Sequence, residues 1–325
     1  MADEKIITER LGTDGSDIAH AAELLQAGKL VAFPTETVYG LGADARNAVA
    51  VAKIFEAKGR PRFNPLIVHF PDTKAAAAHV EMSDEAQRLA DAFWPGALTL
   101  VLPLKPGSTI CELVTAGLPT LGIRVPDHPA ATQLLQAFGG PVAAPSANLS
   151  GLVSPTTAEH VLSGLMGRIS AVVDAGPCEV GVESTIIGFE GGATLLRPGG
   201  IPSEAIEACL GHGLKTPTAS ITPSAPGQLE SHYATQAPIR LNASCQNPGE
   251  TLIGFGHVDC DLNLSLSGDL VEAAANLFSY LRKLDEQGVK KIAVCPIPDH
   301  GLGRAINDRL RRAAAPRPDR PLTKD

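Results

Sequence analysis

The chain has 325 residues, of which 44% are hydrophobic and 19% charged, so it is long enough for about two domains and too apolar for a disordered chain. Its net charge is −8, and residues 1–210 hold 14 Lys and Arg against 23 Asp and Glu, which excludes an overall basic footprint for nucleic acid. No stretch approaches the roughly 18 apolar residues of a membrane helix and the start of the chain lacks the apolar core of a signal peptide, so we expect a cytoplasmic protein.

The first two thirds of the chain mix predicted strands with predicted helices. Residues 29–33 form the first predicted strand, a turn-rich segment follows at 34–42, and residues 46–57 have the spacing of a helix that stops at Gly59. Because strands and helices do not alternate strictly, we expect an α/β fold with a twisted mixed sheet. The further predicted strands are 65–70, 98–104, 120–125, 141–145, 169–174, 184–189 and 193–197, and the further helices are one capped by Ser83 and those at 128–138, 156–165 and 202–210.

Residues 211–238 differ in composition from the segments on either side. They are rich in Pro, Gly, Ser and Thr and have no apolar period, which predicts a linker or lid. After it, strands at 251–255 and 290–295 and helices at 270–287 and 301–315 predict a smaller α/β unit. The predicted organisation is therefore a first domain at 1–210, a linker or lid at 211–238 and a second domain at 239–325.

The densest cluster of cations comes at the end of the predicted helix 46–57. It contains Lys53, Lys58, Arg60 and Arg62, and Pro61 restrains the loop between the last two. Such a group could grip phosphate oxygens. It could equally neutralise the carboxyl-terminal end of the helix dipole.

Several polar residues interrupt apolar runs. A buried Arg124 or Arg197 would need a partner, which could be the carboxylate or phosphate of a ligand or an Asp or Glu of the chain itself. His69 lies in a similar apolar run. Ser146 and Asn148 follow the predicted strand 141–145, where ligands often meet a sheet, although both are also ordinary turn and cap residues.

Two familiar nucleotide signatures and a metal site are disfavoured. Residues 40–45 match G-x-G-x-x-A, but residues 34–39 precede them where a tight turn is needed, and no acidic residue follows about 20 positions on. A P-loop sequence is absent. The six cysteines are scattered without a Cys-x-x-Cys pair, which predicts reduced thiols and no zinc site.

Taken together, these segments resemble the Sua5/YrdC family of threonylcarbamoyl-AMP synthases. Residues 232–234 (His-Tyr-Ala) and 301–308 (Gly-Leu-Gly-Arg-Ala-Ile-Asn-Asp) resemble the long, two-domain Sua5 form of that family. The other matching stretches are 33–42 (Phe-Pro-Thr-Glu-Thr-Val-Tyr-Gly-Leu-Gly), 58–61 (Lys-Gly-Arg-Pro), 64–69 (Asn-Pro-Leu-Ile-Val-His), 94–96 (Trp-Pro-Gly), 121–124 (Leu-Gly-Ile-Arg), 144–151 (Ala-Pro-Ser-Ala-Asn-Leu-Ser-Gly), 154–156 (Ser-Pro-Thr), 182–186 (Val-Glu-Ser-Thr-Ile) and 196–199 (Leu-Arg-Pro-Gly).

The resemblance implies a fold, a reaction and partners. The fold would be a YrdC-like twisted mixed sheet with helices, joined by a lid-like linker to a smaller Rossmann-like α/β domain. The enzyme would be a nucleotidyltransferase that converts L-threonine, bicarbonate or CO2, and ATP into threonylcarbamoyl-AMP and pyrophosphate. A tRNA threonylcarbamoyl transferase would then use the product on the adenosine next to the anticodon, and a weak contact with tRNA itself is possible.

The resemblance also implies roles for individual residues and for a cation. Mg²⁺ would be bound mainly through the phosphates of ATP, with few or no protein ligands. Tyr233, near the end of the lid, would close over the nucleotide. L-Threonine would be bound by Thr37, His69, Arg124, Ala144 and Ser184; ATP would be bound by Lys58, Arg60, Asn64, Thr120, Ser146, Ser154, Arg197 and Tyr233; and the catalytic group around the phosphates would be Lys58, Arg60, Ser146 and Asn148.

Two other functions remain open on the sequence. The cationic cluster could belong to a module that binds tRNA or double-stranded RNA without chemistry, although the negative charge of residues 1–210 opposes many phosphate contacts. The chain could also resemble the enzymes of hydrogenase maturation that form a carbamoyl adenylate. Those enzymes carry zinc-finger segments, and the lack of cysteine pairs here opposes that alternative.

Overall fold

The computed structural model describes residues 6–216 and 232–316, which form two sheets. The larger sheet has ten strands in the order β1-β8-β2-β3-β7-β4-β6-β5-β9-β10, and its pairs are both parallel and antiparallel. This confirms the predicted mixed sheet. The strands are β1 (Glu9–Leu11), β2 (Val31–Phe33), β3 (Gly40–Asp44), β4 (Ile67–His69), β5 (Leu98–Pro103), β6 (Thr120–Arg124), β7 (Val142–Ala143), β8 (Ala171–Val173), β9 (Thr185–Gly188) and β10 (Thr194–Arg197).

Helices cover both faces of this sheet. Along β2, Val31 and Phe33 pack with α1 and α6, whereas Ala32 between them packs into the larger core on the other face, as the alternation of side chains along a strand requires. The helices of this domain are α1 (Gly15–Gln26), α2 (Ala48–Lys58), α3 (Thr73–Ala77), α4 (Asp84–Phe93), α5 (Glu112–Thr115), α6 (Pro129–Phe138), α7 (Ala158–Leu165) and α8 (Ser203–Leu210).

The local chemistry of α2 fixes where its last residues lie. Asn47 caps the first turn, where its side chain accepts hydrogen bonds from the backbone N–H groups of Val49 and Ala50. Gly59 ends the helix in a left-handed conformation with φ 59°, which glycine adopts without the strain of a Cβ. The helix therefore ends at Lys58, one residue beyond the predicted 46–57 and directly before the predicted stop at Gly59, and the chain turns back at once through Arg60.

The second sheet has four parallel strands in the order β11-β14-β12-β13. One apolar core joins its helices to Val38, Val153 and Val182 of the first domain. The helices of the second domain therefore pack on the loops of the first domain that carry these three valines. Its elements are β11 (Ile239–Arg240), β12 (Thr251–Gly254), β13 (Leu262–Asn263), α9 (Leu270–Glu286), β14 (Ile292–Val294) and α10 (Gly303–Ala314).

The structure also corrects parts of the predicted organisation. The strand β1 and the helix α1 lie in a part of the chain for which no element was predicted, and β3 occupies the predicted turn-rich segment. Lys215, within the predicted linker, pairs with Thr194 at the edge of the large sheet. Residues 217–231, the middle of that linker or lid, lie outside the described residues. Within 6–216 and 232–316, none of the helices combines the length and apolarity needed to cross a bilayer.

Candidate active site

A buried pocket lies in the middle of the large sheet, and its cavity has a volume of about 60 Å³. Strand ends and loops from β2 to β10 surround it, so residues far apart in sequence meet there. The second domain closes one side through His232 and Tyr233. The lining residues are Thr35, Val38, Gly40, Arg60, Ile67, His69, Arg124, Ala144, Pro145, Ser146, Glu183, Ser184, Arg197, His232 and Tyr233.

Most of the predicted site residues meet at this pocket. Those that line it are Arg60, His69, Arg124, Ala144, Ser146, Ser184, Arg197 and Tyr233. Those that hydrogen-bond to a lining residue are Thr37, Lys58, Asn148 and Ser154. Asn64 is buried but is not among the lining residues, and Thr120 lies in a separate cavity of about 10 Å³. The individual roles of these residues stay predictions.

The end of α2 and the residues just after it bring one cation, Arg60, into the pocket wall and a second, Lys58, directly behind it. Lys58 is buried, and its Nζ donates hydrogen bonds to the backbone carbonyls of Ser146 and Asn148. The Nη2 of Arg60 donates to the carbonyl of Pro65 at 3.1 Å. Burial, and then the neighbouring Arg60, lower the pKa of Lys58 well below its usual value. An anion bound here would therefore favour the charged form of Lys58.

The predicted cationic cluster divides in the folded chain. Lys53 donates to the carbonyl of Gly28 at 2.7 Å and does not line the pocket, and Arg62 is exposed. Only Lys58 and Arg60 turn inward. This disfavours the predicted alternative of a basic RNA-binding surface at this cluster, because the side chains of Lys58 and Arg60 are buried and do not belong to the surface.

Arg124 organises the opposite side of the pocket. Its Nη1 donates to the Oγ1 of Thr37 at 2.9 Å, and its Nε donates to the carbonyl of Gly96 at 3.2 Å. The Nη2 lies 2.6 Å from the Oε1 of Glu36, close enough for an ion pair but without hydrogen-bond geometry. The predicted internal partner thus exists, and this Arg124 terminus still has an N–H bond to offer to a ligand carboxylate.

His69 lies beside Arg124, because β4 and β6 pair in register at these two residues. Burial, and then the charge of Arg124, lower the pKa of His69 to about 3, so its imidazole is neutral at pH 7. Its Nδ1 is buried without a hydrogen-bond partner within residues 6–216 and 232–316. A neutral ring with an unpaired nitrogen can accept or donate a hydrogen bond without adding charge to this corner.

Ser184 and Arg197 both line the pocket and are hydrogen-bonded to each other. The Nη2 of Arg197 donates to the carbonyl of Ser184 at 2.9 Å, and the Ser184 hydroxyl lies 2.7 Å from that of Thr99. Gly199 allows this close packing, because a Cβ there would come within 2.3 Å of the Ser184 backbone. Burial lowers the pKa of Arg197. The result is a rigid cationic wall between the Arg124 side and the Lys58 side.

Glu183 is a buried acid that lines the same pocket. Its Oε1 accepts a hydrogen bond from the Ser154 hydroxyl at 2.6 Å, and its Oε2 accepts one from the Nε of Arg309 at 2.8 Å. Burial by itself would raise the pKa of Glu183, but Arg309 and Arg197 outweigh it and lower the pKa to about 2. Glu183 is therefore ionised and held in one orientation.

Tyr233 closes the pocket from the second domain. Its backbone has φ 60°, a left-handed conformation that is uncommon outside glycine. Its ring stacks on Phe278 with centroids 5.3 Å apart, and the guanidinium of Arg309 lies 5.3 Å from the ring centroid. The next residue, Ala234, donates to the carbonyl of Gly151 at 2.8 Å, which ties this segment to the first domain.

Sequence reasoning missed Glu36, Glu183 and Arg309. The two acids stand inside the matching stretches, directly before Thr37 and Ser184, and acids in apolar surroundings are a signal that was available. Arg309 contacts Glu183 across 126 positions of sequence. No local pattern relates two residues so far apart.

Buried polar atoms without partners gather around this pocket. Folded proteins leave few such atoms. Most of the residues that carry them belong to the first domain, so this region provides the polar groups that a polar ligand would need. In the described part of the chain they occur on Glu36, Arg60, Asn64, His69, Arg124, Asn148 and Arg309.

Fold and pocket together define an α/β protein with a pocket lined by three buried arginines, which suits anionic ligands. The family model Sua5_yciO_yrdC, described as "Telomere recombination", matches residues 23–199. The model Sua5_C, described as "Threonylcarbamoyl-AMP synthase, C-terminal domain", matches residues 201–315. The chain belongs to the Sua5/YrdC family, in its two-domain Sua5 form.

Similar proteins extend over nearly the whole chain. The threonylcarbamoyl-AMP synthase of Bacillus subtilis is 44% identical and covers 96% of this chain and 96% of its own length. That of Pyrococcus abyssi is 41% identical, over 95% of this chain and 97% of its own. The crystal structure of P. abyssi Sua5 complexed with L-threonine superposes with a TM-score of 0.86 at 40% identity, over 95% of this chain and 97% of that one.

Proposed function

We propose that this chain is an L-threonylcarbamoyladenylate synthase, a nucleotidyltransferase that forms threonylcarbamoyl-AMP and pyrophosphate from L-threonine, bicarbonate or CO2, and ATP. The observation that carries the proposal is that one pocket is lined both by Arg124, which suits an amino-acid carboxylate, and by Arg60, which suits phosphates and lies close to Lys58, itself hydrogen-bonded to the lining residue Ser146. The relatives described above carry the same activity in their names.

The chemistry requires two bonds to form in sequence. The threonine nitrogen bonds to the carbon of CO2 and loses a proton, which gives a carbamate; with bicarbonate as the carbon source, water leaves instead. A carbamate oxygen then bonds to the α-phosphorus of ATP, while the bond from that phosphorus to the departing oxygen breaks and pyrophosphate leaves. Threonine and its carbamate are the nucleophiles, so the chain need not form a covalent intermediate.

The residues around the pocket would position the substrates and stabilise charge. Arg124 and Thr37 would orient the threonine carboxylate, with the neutral His69 beside the amine. Lys58 and Arg60 would face the phosphates, where negative charge increases as pyrophosphate departs. Both the carbamate and the mixed anhydride are labile in water, so a small enclosed cavity protects them.

Magnesium is expected to reach this site with the nucleotide. Within residues 6–216 and 232–316, no group of three or more His, Cys, Asp or Glu side chains could hold a metal ion. Glu183, which lines the pocket, and Glu36, which lies behind Arg124, are each paired with an arginine. This donor set fits a cation bound mainly through ATP phosphates, where it would neutralise part of their charge.

The product would be consumed by another enzyme. A tRNA threonylcarbamoyl transferase would accept the adenylate and modify the adenosine next to the anticodon. Contact with tRNA would be weak, because the residues in the first domain carry excess negative charge. We place the reaction in the cytoplasm, where all three substrates are present.

Pyrophosphate release from ATP tests the proposal. It should require both L-threonine and bicarbonate, and degassed buffer without bicarbonate should suppress it. The adenylate product should contain the threonine carbon skeleton by mass spectrometry. Release without threonine, or tRNA binding tighter than ATP binding with no release, would contradict the proposal.

A further inference from the structure

Two arginines of the second domain reach the wall of the pocket. From α9, Arg282 donates through Nη2 to the carbonyl of Val153 and through Nε to that of Ser154 at 3.3 Å. From α10, Arg309 donates to Glu183. Glu183 also accepts the hydrogen bond from Ser154. Hydrogen bonds therefore connect Arg282 of α9, Ser154, Glu183 and Arg309 of α10 in one continuous series.

Arg309 is the central member of this chain. Its side chain is fully buried. Its Nη1 donates to the carbonyl of Pro198 at 2.9 Å and to the Oδ2 of Asp308 at 2.7 Å, while its Nε holds Glu183. One face of its guanidinium lies against the Tyr233 ring. A single planar group therefore sets the positions of a pocket acid, the loop after β10 and the closing aromatic ring.

The two domains also meet too closely at this interface for independent movement. A Cβ on Gly181 would come within 2.4 Å of the α9 backbone at Ala275. Val153 and Val182, which adjoin Ser154 and Glu183, share the core of the second domain. The positions of Ser154 and Glu183 therefore depend on α9 and α10 as much as on the first sheet.

We propose that Arg309 is a positioning residue for the nucleotide end of the pocket: by orienting Glu183, and through it Ser154, it makes the second domain a working part of the ATP site. This inference rests on the proposed function, because it identifies the nucleotide end from the expected role of Ser154. Arg309 touches no substrate itself. Its effect is on the geometry of groups that do.

The test compares Arg309→Met with Arg304→Met. Arg304 lies on the same helix and also bridges the domains, because its Nη1 donates to the Ser203 hydroxyl at 2.6 Å, but it does not reach Glu183 or Tyr233. Loss of hydrogen bonds from a charged donor should raise the KM for ATP about ten- to a hundredfold in Arg309→Met and leave the KM for threonine within about twofold. Arg304→Met should change neither constant.

A second pair of variants separates positioning from folding. Removing Arg309 alone leaves the Glu183 charge buried without its main partner, which lowers stability. Arg309→Met/Glu183→Gln removes both charges, and Arg309→Lys keeps the charge but loses the planar fork. In both variants, the melting temperature should recover towards that of the wild type while the KM for ATP stays raised.

Three results would overturn the inference. They are a folded Arg309→Met or Arg309→Lys variant with an unchanged KM for ATP, an equal rise of the KM values for ATP and threonine, and full recovery of ATP use in Arg309→Met/Glu183→Gln. Calorimetric titration of ATP without threonine gives the same comparison independently of turnover. Failure of the proposed function would appear separately, as a wild-type protein that binds ATP but releases no pyrophosphate when threonine is added.

Discussion

The two domains carry cavities of opposite character. The pocket of the first domain holds about 60 Å³ and is lined by the buried side chains of Arg60, Arg124 and Arg197. The cavity of the second domain, beside the carboxyl ends of β11 and β14, holds about 250 Å³. Asn307 in its lining donates to the carbonyl of Ile297 at 3.1 Å. In the described part of the chain, buried side-chain atoms without a hydrogen-bond partner occur on lining residues of the smaller cavity and on none that line the larger one.

This difference shows which property marks a ligand site in this molecule. Judged by volume alone, the cavity of the second domain would be the ligand site, and parallel strands commonly bind ligands at their carboxyl ends. Buried charge and unpaired buried atoms favour the first domain, because their cost is offset when a ligand supplies the missing partners. Substitutions matched between the two regions can break or sharpen this contrast.

The largest effect is expected at Arg124. Arg124→Met removes the expected partner of the threonine carboxylate and should raise the KM for threonine about ten- to a hundredfold. It also leaves Glu36 buried without its counter-ion, which should cost about 3 kcal/mol in unfolding free energy. Steady-state kinetics and urea unfolding measure the two effects.

Two controls accompany Arg124→Met. Arg311→Met makes the same change at the rim of the second cavity and should leave both KM values unchanged. Glu36→Gln/Arg124→Met should recover stability without recovering threonine binding. An equal rise of the KM for threonine in Arg124→Met and Arg311→Met would show that the two cavities do not differ in ligand binding.

Lys58 gives the next largest expected effect. Lys58→Met should raise the KM for ATP about tenfold or more, because a charged donor facing the phosphates is lost. Lys53→Met is the matched control, because the Nζ of Lys53 also donates a hydrogen bond to a backbone carbonyl, that of Gly28, which does not line the pocket. Kinetics at saturating threonine separate the two variants. The site assignment is wrong if both lose ATP affinity equally.

His69 predicts a pH dependence of stability. Its folded pKa of about 3 lies below the usual histidine value of 6.5, so below pH 6.5 the unfolded chain binds a proton that the folded chain does not accept. Stability is therefore lost as the pH falls from 6.5 towards 3. Between about pH 7.5 and 5.5, the wild type should lose about 1.4 kcal/mol more unfolding free energy than His69→Gln. Parallel pH slopes in urea unfolding would show that His69 is not buried in neutral form.

The smallest effect is expected at two glycines that end helices. Gly59 after α2 and Gly288 after α9 both have positive φ, with open space where a Cβ would lie. Replacement of either by Ala should cost about 1 kcal/mol of unfolding free energy, from backbone strain alone. Only Gly59→Ala should also raise the KM for ATP, because it moves Lys58 and Arg60. A raised KM in Gly288→Ala would mean that strain anywhere in the fold affects the pocket.

Much of the fold could be predicted from local signals. The helix α2 was predicted because apolar spacing and a terminal glycine coincide, and Ser83 was correctly predicted as a cap. The helix α1 was missed although its signals were present: Asp14 caps it, and Ile18 and Leu25 lie on its buried face. No element was predicted before residue 29, although the cap and the apolar spacing lie within residues 14–25.

The strand β3 could not be predicted from propensity. It contains two glycines, which are unfavourable in strands, and it was therefore interpreted as part of a turn-rich segment. In the folded chain a Cβ on Gly42 would come within 3.0 Å of the Phe33 ring and 3.1 Å of Val142. Tertiary packing thus requires glycine where local preference disfavours a strand.

For the site, the sequence indicated that Arg124 and Arg197, if buried, would need partners, but not which residues those partners would be. The question of whether Arg124 had an internal partner stayed open until Glu36 was found beside it. The link between Glu183 and Arg309 depends on how the two domains pack. Such pairings arise from tertiary structure and leave no pattern in neighbouring residues.

The shortness of β7 has a consequence for how this pocket can respond to an anion. The strand has only two residues, and just beyond it the carbonyls of Ser146 and Asn148 are held by the Lys58 ammonium. One side chain thus adds to the backbone pairing of Ser146 with Gly40. An anion that attracts the Lys58 side chain weakens the hydrogen bonds from Lys58 to residues 146–148. Anion binding and the rigidity of this loop therefore depend on the same N–H groups of Lys58.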